Sequence, residues 1–146
     1  MNDRRGYVLI HAALGLSLVH HIDHAVRGNH VGWPLIAEVT PFTYSLGIYP
    51  LIVAGLVLSH AGRVGPGYWV LLSGFGIVFI SAIHFGPAAV EPPRDIIDLY
   101  QPPVLGWLAF AVLLLLVAAL VATFVHELRL WRSRRPRTAT RSGGPS

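Results

Sequence analysis

Residues 104–125 read VLGWLAFAVLLLLVAALVATFV, an apolar stretch with no charged side chain. An α-helix rises about 1.5 Å per residue, so a stretch of this length spans the roughly 30 Å hydrocarbon core of a lipid bilayer. Core helices of soluble domains carry shorter apolar runs. The stretch therefore predicts a transmembrane helix.

Three more apolar stretches precede this one, and together they predict helices over about residues 7–26, 42–60, 68–85 and 104–126. The whole chain is 53% hydrophobic and only 12% charged, whereas soluble domains carry about 25% charged residues. The predicted fold class is all-α, an integral membrane bundle of four transmembrane helices. It forms one domain over residues 1–128, followed by a tail over residues 129–146.

The absence of cysteine excludes disulfides, thiolate metal sites and iron–sulfur clusters. The only methionine is Met1, so a metal site would have to use histidine nitrogens and oxygen ligands. Every basic residue is arginine and none is lysine. This usage is typical of a GC-rich genome and predicts a prokaryotic source.

The distribution of arginine predicts the orientation in the membrane. With four spans, nine arginines flank the side that holds both termini and two, Arg27 and Arg94, flank the other side. Arginine-rich flanks stay in the cytoplasm, so we expect both termini there, in a multi-pass protein of the plasma membrane. Six of the nine lie between Arg129 and Arg141, where we expect a basic, disordered cytoplasmic tail. Topology accounts for this charge, and no nucleic-acid partner is predicted.

The first predicted helix differs from the others because it carries the sequence His20-His21-Ile22-Asp23-His24. At 100° per residue, Ser17, His20, His24 and Arg27 share one face, and apolar side chains occupy the opposite face. Polar groups inside a membrane face the protein interior or water. We therefore expect this polar face to point into the bundle.

The polar face has the spacing of a metal site. His20 and His24 lie one helical turn apart and can bind one ion together, and Asp23 can join as a ligand or orient an imidazole. In the four-helix topology His84 ends the third helix on the same side of the membrane. The predicted metal ligands are therefore His20, His24, His84 and Asp23. They suit Zn, Fe, Mn or Cu, or alternatively histidines from facing helices ligate heme b.

The loop that follows His84 contains Glu91, two prolines and a short apolar segment. Arg27 and Glu91 are candidates for ion pairs with Asp23 or with each other. The apolar segment is expected either to cap the outer end of the bundle as one amphipathic turn or to be an ordinary connector. The tryptophans lie near predicted helix ends and are expected at the membrane interfaces, and they are Trp33, Trp69, Trp107 and Trp131.

Three functions remain open from the sequence. The first is a metal- or heme-binding membrane protein, for which His20, His24 and His84 are the expected cofactor-binding residues. The second is a component of a proton or ion pathway, because ionisable groups inside a membrane often mark such routes. The third is a non-enzymatic accessory subunit. The expected partners are the lipid bilayer and either further copies of the chain or a larger membrane complex. No reaction is indicated.

Overall fold

The computed structural model of the chain describes residues 3–27 and 39–134. Secondary structure in these two ranges is helical, without a β-strand. The helices in chain order are α1 Arg4–Arg27, α2 Pro41–Ser45, α3 Ile48–His60, α4 Pro66–His84, α5 Pro93–Ile97 and α6 Pro103–Arg134. The all-α prediction is confirmed for the described residues. His30, Trp33 and the tail from residue 135 onward lie outside them.

Helices α2 and α3 replace the single helix that was predicted over residues 42–60. Pro50 has no backbone N–H and its ring displaces the carbonyl four residues earlier, that of Leu46. The regular helix is interrupted there, and the Tyr49 amide donates to the Leu46 carbonyl at 3.2 Å in a tighter turn. Thr40 caps α2 through a reciprocal pair of hydrogen bonds with Thr43. Pro50 thus explains the break between α2 and α3.

Three segments are long and apolar enough to cross a membrane, and they are Pro41–His60, Pro66–His84 and Pro103–Arg134. Their mean hydropathies are 1.7, 1.7 and 3.0. Helix α1 is long enough, with 24 residues, but the polar groups of its last two turns lower its hydropathy, and it is not among the three. Length and composition therefore show three of the four predicted spans.

The described helices turn large apolar side chains outward and small or polar ones inward. Ser59, Ser73 and Thr123 are at most 4% exposed, whereas Leu71 and Val78 of α4 are 74% and 69% exposed. A soluble protein would not cover its surface with leucine and valine in this way. Lipid is the solvent that suits such a surface, because it accepts apolar side chains and leaves hydroxyls to pair within the protein.

Helix α6 packs in antiparallel fashion against both α1 and α4. At one end His126 donates a hydrogen bond to Asp3, which lowers the pKa of the Asp3 carboxyl. At the other end Tyr100, just before α6, donates to Asp23. Gly74 faces Phe124, where an added Cβ would lie 3.2 Å from the ring, so this glycine lets α4 approach α6 closely. The last turns of α1 and α4 therefore lie at the same end of the protein.

Trp69 is not where the sequence placed it. Its indole is 2% exposed, packs against Ile10 and Ile52, and donates to the Ser59 hydroxyl at 3.0 Å. The prediction of an interfacial position was wrong because Trp69 lies near a helix end yet faces the neighbouring helices. A buried hydroxyl satisfies its N–H in place of the membrane interface.

The close contact between α5 and α6 can be tested by mutation. A Cβ at Gly106 would collide with the backbone carbonyl of Ile97, and a backbone atom can move away only if α5 shifts. We expect Gly106→Ala to lower the free energy of unfolding by about 1–3 kcal/mol, measured by denaturation in detergent. The control is Gly15→Ala, since no atom lies within 4 Å of an added Cβ there. Equal stability of the two variants would contradict the close contact.

Candidate metal site

Three imidazoles meet at the end of the bundle where α1 and α4 finish. The rings of His20 and His24 have centroids 4.6 Å apart, and their Nε2 atoms are separated by 3.2 Å. The ring of His84 has its centroid 5.2 Å from that of His20 and 5.9 Å from that of His24. All three residues are at most 7% exposed. One potential ligand atom from each lies within 4.8 Å of the others, so the triad can hold a metal ion.

Glu91 sets the orientation of His84. The chain turns back after α4, the Glu91 amide donates to the Ile83 carbonyl at 3.1 Å, and the Glu91 carbonyl lies 2.9 Å from His84 Nδ1. A carbonyl only accepts, so Nδ1 carries the proton and Nε2 of a neutral imidazole keeps its lone pair. Metal-binding histidines are commonly held in this way by a carbonyl on the other nitrogen.

The carboxylate of Glu91 lies beside the imidazoles as well. Its side chain is 2% exposed, and Oε2 is 3.3 Å from His24 Nε2 and 3.8 Å from His84 Nδ1. Two ligands of a tetrahedral ion with bonds of about 2.0–2.1 Å are roughly 3.3 Å apart. The separations His20–His24 and His24–Glu91 both match this value. The sequence did not single out Glu91 as the carboxylate of the site, because nothing in a proline-containing loop shows that it folds back.

Arg27 joins two carboxylates at the edge of the triad. Its Nε donates to Asp23 Oδ2 at 2.8 Å, and its Nη1 donates to Glu91 Oε1. The Arg27 side chain is 2% exposed. The predicted ion pairs of Arg27 with both acids are present. One guanidinium and two carboxylates leave one net negative charge beside the three imidazoles, and that charge favours a cation.

Asp23, which the sequence offered as a metal ligand, points to other partners. Its carboxylate accepts hydrogen bonds from Arg27 and from the Tyr100 hydroxyl. Among the described residues, the group whose potential ligand atoms all lie within 4.8 Å of one another consists of the three imidazoles and includes neither Asp23 nor Glu91. Burial and the bond to Asp23 raise the pKa of Tyr100 to about 12. Tyr100 is therefore a neutral donor at physiological pH. No sequence pattern marked it, because its partner lies 77 positions away.

The neighbouring His21 has a different role. Its Nδ1 lies 2.8 Å from the Ser17 carbonyl and 2.9 Å from the Tyr49 hydroxyl, and its Nε2 lies 2.8 Å from the Ser45 hydroxyl. These contacts join α1 to α2 and α3. Among the remaining described histidines, His11 and His60 are exposed at helix surfaces, and His126 bonds Asp3.

The segment from Glu91 to Tyr100 closes this end of the described structure. Ile96 of α5 is 0% exposed, Glu91 is tied to Arg27, and Tyr100 is tied to Asp23. Of the two readings of this loop, the amphipathic turn that packs on the bundle is the one observed. A cavity of about 60 Å³ remains beside the imidazoles, bounded by Phe42, Phe79 and Ile83 among others.

Comparisons with known protein families, with characterised proteins and with solved structures find no match to this chain.

Arg27 provides a test of the network. We expect Arg27→Gln to lower the free energy of unfolding by about 3–5 kcal/mol, because it leaves two buried carboxylates without their cation. The measurement is equilibrium denaturation in detergent. The matched control is Arg94→Gln, since the Arg94 side chain is 81% exposed and pairs only loosely with Asp95 at 3.6 Å, so its loss should change stability by less than about 0.5 kcal/mol.

A double variant removes the Glu91 carboxylate as well as the Arg27 guanidinium. Adding Glu91→Gln to Arg27→Gln should recover part of the lost stability, because fewer unpaired charges stay buried. Equal stability of Arg27→Gln and Arg94→Gln would show that the buried ion-pair network does not exist in solution.

Proposed function

We propose that the protein is a multi-pass membrane protein that binds one transition-metal ion through His20, His24 and His84, with Glu91 as the fourth ligand. The observation that carries this proposal is the convergence of three buried imidazoles and a buried carboxylate, with adjacent donor atoms 3.2 and 3.3 Å apart. The imidazoles come from two different helices, and all three are buried at one point, which is the arrangement of a metal site built from facing side chains in a helix bundle.

The ligand set favours a zinc ion over the other metals considered. Nitrogen and carboxylate donors suit Zn, Fe, Mn and Cu by type. Donor separations near 3.3 Å match a tetrahedral shell, whereas an octahedral shell with bonds of the same length places neighbouring donors about 2.9 Å apart. The three imidazoles would supply three ligands, and a shift of the Glu91 carboxylate from its place beside His24 would close the shell, as is typical of structural zinc sites. Such an ion would hold α1, α4 and the loop after α4 together.

The same geometry argues against heme b, the alternative cofactor predicted from the sequence. Two axial histidines bind the iron from opposite faces of a flat macrocycle, so the space between them must be free of side chains. Here His20 and His24 lie side by side on one helix, with Glu91 beside them, and the adjoining cavity has only about 60 Å³. A single ion suits this space better than a macrocycle.

We also propose that α1 is the fourth span, with both termini in the cytoplasm of a prokaryotic cell. The contacts of α1 with α6 run from Asp3 at one end to Asp23 at the other, so the two helices cover the same depth. The outer face of α1 is apolar, with Val19, Ile22 and Val26 about 49%, 52% and 71% exposed. The polar side chains that lower the mean hydropathy of α1 face the interior of the bundle, so they do not contact lipid.

The two other functions predicted from the sequence gain less support. A proton or ion pathway needs polar groups along the whole depth of the membrane, but beyond Ser17 the contact of α1 with its neighbours becomes the apolar cluster of Ile10, Ile52 and Trp69. An accessory subunit in a larger complex, or an assembly of several copies, stays a prediction that the exposed apolar helix faces equally permit.

Metal binding is tested on the protein purified in detergent. With Zn²⁺ we expect one ion per chain, and with Co²⁺ the visible absorption of a tetrahedral complex. His24→Ala and His84→Ala should each weaken binding by at least about a hundredfold, since loss of a ligand should cost no less than loss of a supporting group. His60→Ala, on an exposed histidine, is the control. Binding that all three variants share, or no stoichiometric metal, would refute the site, and a Soret band on purification would restore heme b.

Topology is tested by cysteine labelling, which the cysteine-free chain permits without background. With a membrane-impermeant maleimide on intact cells, we expect Ala88→Cys to react, whereas Asn2→Cys and Ala61→Cys should react only after permeabilisation. Labelling of Asn2→Cys from outside would mean that α1 does not cross the membrane.

A further inference from the structure

A second cavity of about 240 Å³ lies between α1, α3, α4 and α6, nearer the middle of the bundle than the imidazole triad. Its floor is buried, and Ala13, Trp69 and Leu116 there are at most 8% exposed. An apolar cavity of about 150 Å³ is known to take up benzene. This one therefore has room for a molecule somewhat larger than a single six-membered ring.

The mouth of the cavity opens sideways from the bundle. Tyr44, Leu51 and Phe75 line it and are 60%, 49% and 51% exposed. Leu51 and Phe75 lie inside two of the segments that are long and apolar enough to cross a membrane. A ligand would thus enter from the hydrocarbon of the bilayer and would have to be soluble in lipid.

The walls favour a flat ring. Phe75 and Phe79 stack with centroids 5.7 Å apart and planes at 23°, and Tyr44 lies 5.9 Å from Phe79. Aromatic side chains gain most from offset or edge contacts with another ring. The hydroxyls of Ser73 and Thr123 in the wall donate to carbonyls of their own helices, so these parts of the wall offer no donor to a ligand.

One end of the cavity is polar and adjoins the metal site. Ser17, His21 and Ser45 line this end, and His21 and Ser45 also line the smaller cavity beside the triad. The His21 ring has its centroid 6.0 Å from that of His20. The Ser45 hydroxyl already donates to the Phe42 carbonyl, so its oxygen offers an acceptor to a ligand hydroxyl. The Ser17 hydroxyl, whose contact with His21 Nδ1 is long at 3.4 Å, is the group that can turn to a ligand carbonyl.

We propose that this cavity binds a lipid-soluble molecule with one or two fused planar rings and a polar edge, such as a quinone or a phenol, which enters from the bilayer. The proposal does not depend on the metal ion. It rests on the volume of the cavity, its aromatic walls, its lateral mouth and its single polar end.

The test uses the full chain in detergent and menadione, a methylated naphthoquinone, as the probe. Replacing Trp33, Trp107 and Trp131 by phenylalanine leaves Trp69, in the cavity floor, as the only tryptophan. Quinones quench tryptophan fluorescence on contact. We expect saturable quenching of Trp69, which Ala13→Phe weakens at least tenfold because the new ring occupies the cavity.

The matched control is Ala12→Phe, which adds the same ring to the exposed face of the same helix and should leave the affinity unchanged. Ala13→Leu, a smaller filler, should produce a smaller loss, and it replaces Ala13→Phe if circular dichroism shows that the larger variant does not fold. Quenching that does not saturate, or that is equal in the Ala12 and Ala13 variants, means partition into the micelle and overturns the proposal.

A lipid acyl chain is the other occupant that the walls would accept. In bilayers of dibrominated phosphatidylcholine without menadione, quenching of Trp69 that Ala13→Phe relieves, together with no saturable quenching by menadione in unbrominated bilayers, would show that the cavity holds an acyl chain. That result would overturn the ring-ligand proposal while leaving the metal site untouched. Saturable quenching of Trp69 by menadione in unbrominated bilayers, weakened by Ala13→Phe, would support it.

Discussion

The guanidinium of Arg27 holds together the end of the protein that contains the proposed metal site. It bonds one carboxylate from its own helix, Asp23, and one from the loop after α4, Glu91. Near the hydrocarbon of a bilayer each of these charges alone would be costly. Together they draw the loop back onto α1, which brings the Glu91 carbonyl to His84 and the Glu91 carboxylate to His24. The helices bring the three histidines together, and the ion-pair network holds Glu91 against His84 and His24.

The rest of the fold follows from the exchange of water for lipid as the surrounding medium. Because lipid accepts leucine and valine, the described helices are held by small residues, by buried hydroxyls and by a few polar contacts instead of by a large apolar core. Trp69 bonded to Ser59, and Gly74 against Phe124, are examples. An interior of this kind has room for polar clusters and cavities that a soluble protein of this size would fill with side chains.

Much of this could be predicted from the sequence. Apolar runs indicated the helices, a period of four placed His20 and His24 on one face, and the alternation of spans brought His84 to the same end. The triad itself needs only helix geometry and topology. The positions of Glu91 and Tyr100 depend on the path of the loop after α4. A loop rich in proline carries no periodic signal from which that path could be predicted. Trp69 was misplaced because closeness to a helix end says nothing about which way a side chain faces. That α1 is the fourth transmembrane helix stays a proposal. The polar side chains that α1 contributes to the site lower its hydropathy and so weaken the sequence signal of a membrane helix.

The length of α6 has a consequence of its own. Its 32 residues extend about 48 Å at 1.5 Å per residue, while the hydrocarbon is about 30 Å thick. Even a tilt of about 40°, the upper end of the usual range, shortens its projection only to roughly 37 Å. The last turns, with Arg129, Arg132 and Arg134, must therefore rise through the headgroup layer as a rigid basic post. Trp131, packed against Gly67 of α4, holds this end of the helix against its neighbour, so the three arginines keep a fixed distance from the hydrocarbon.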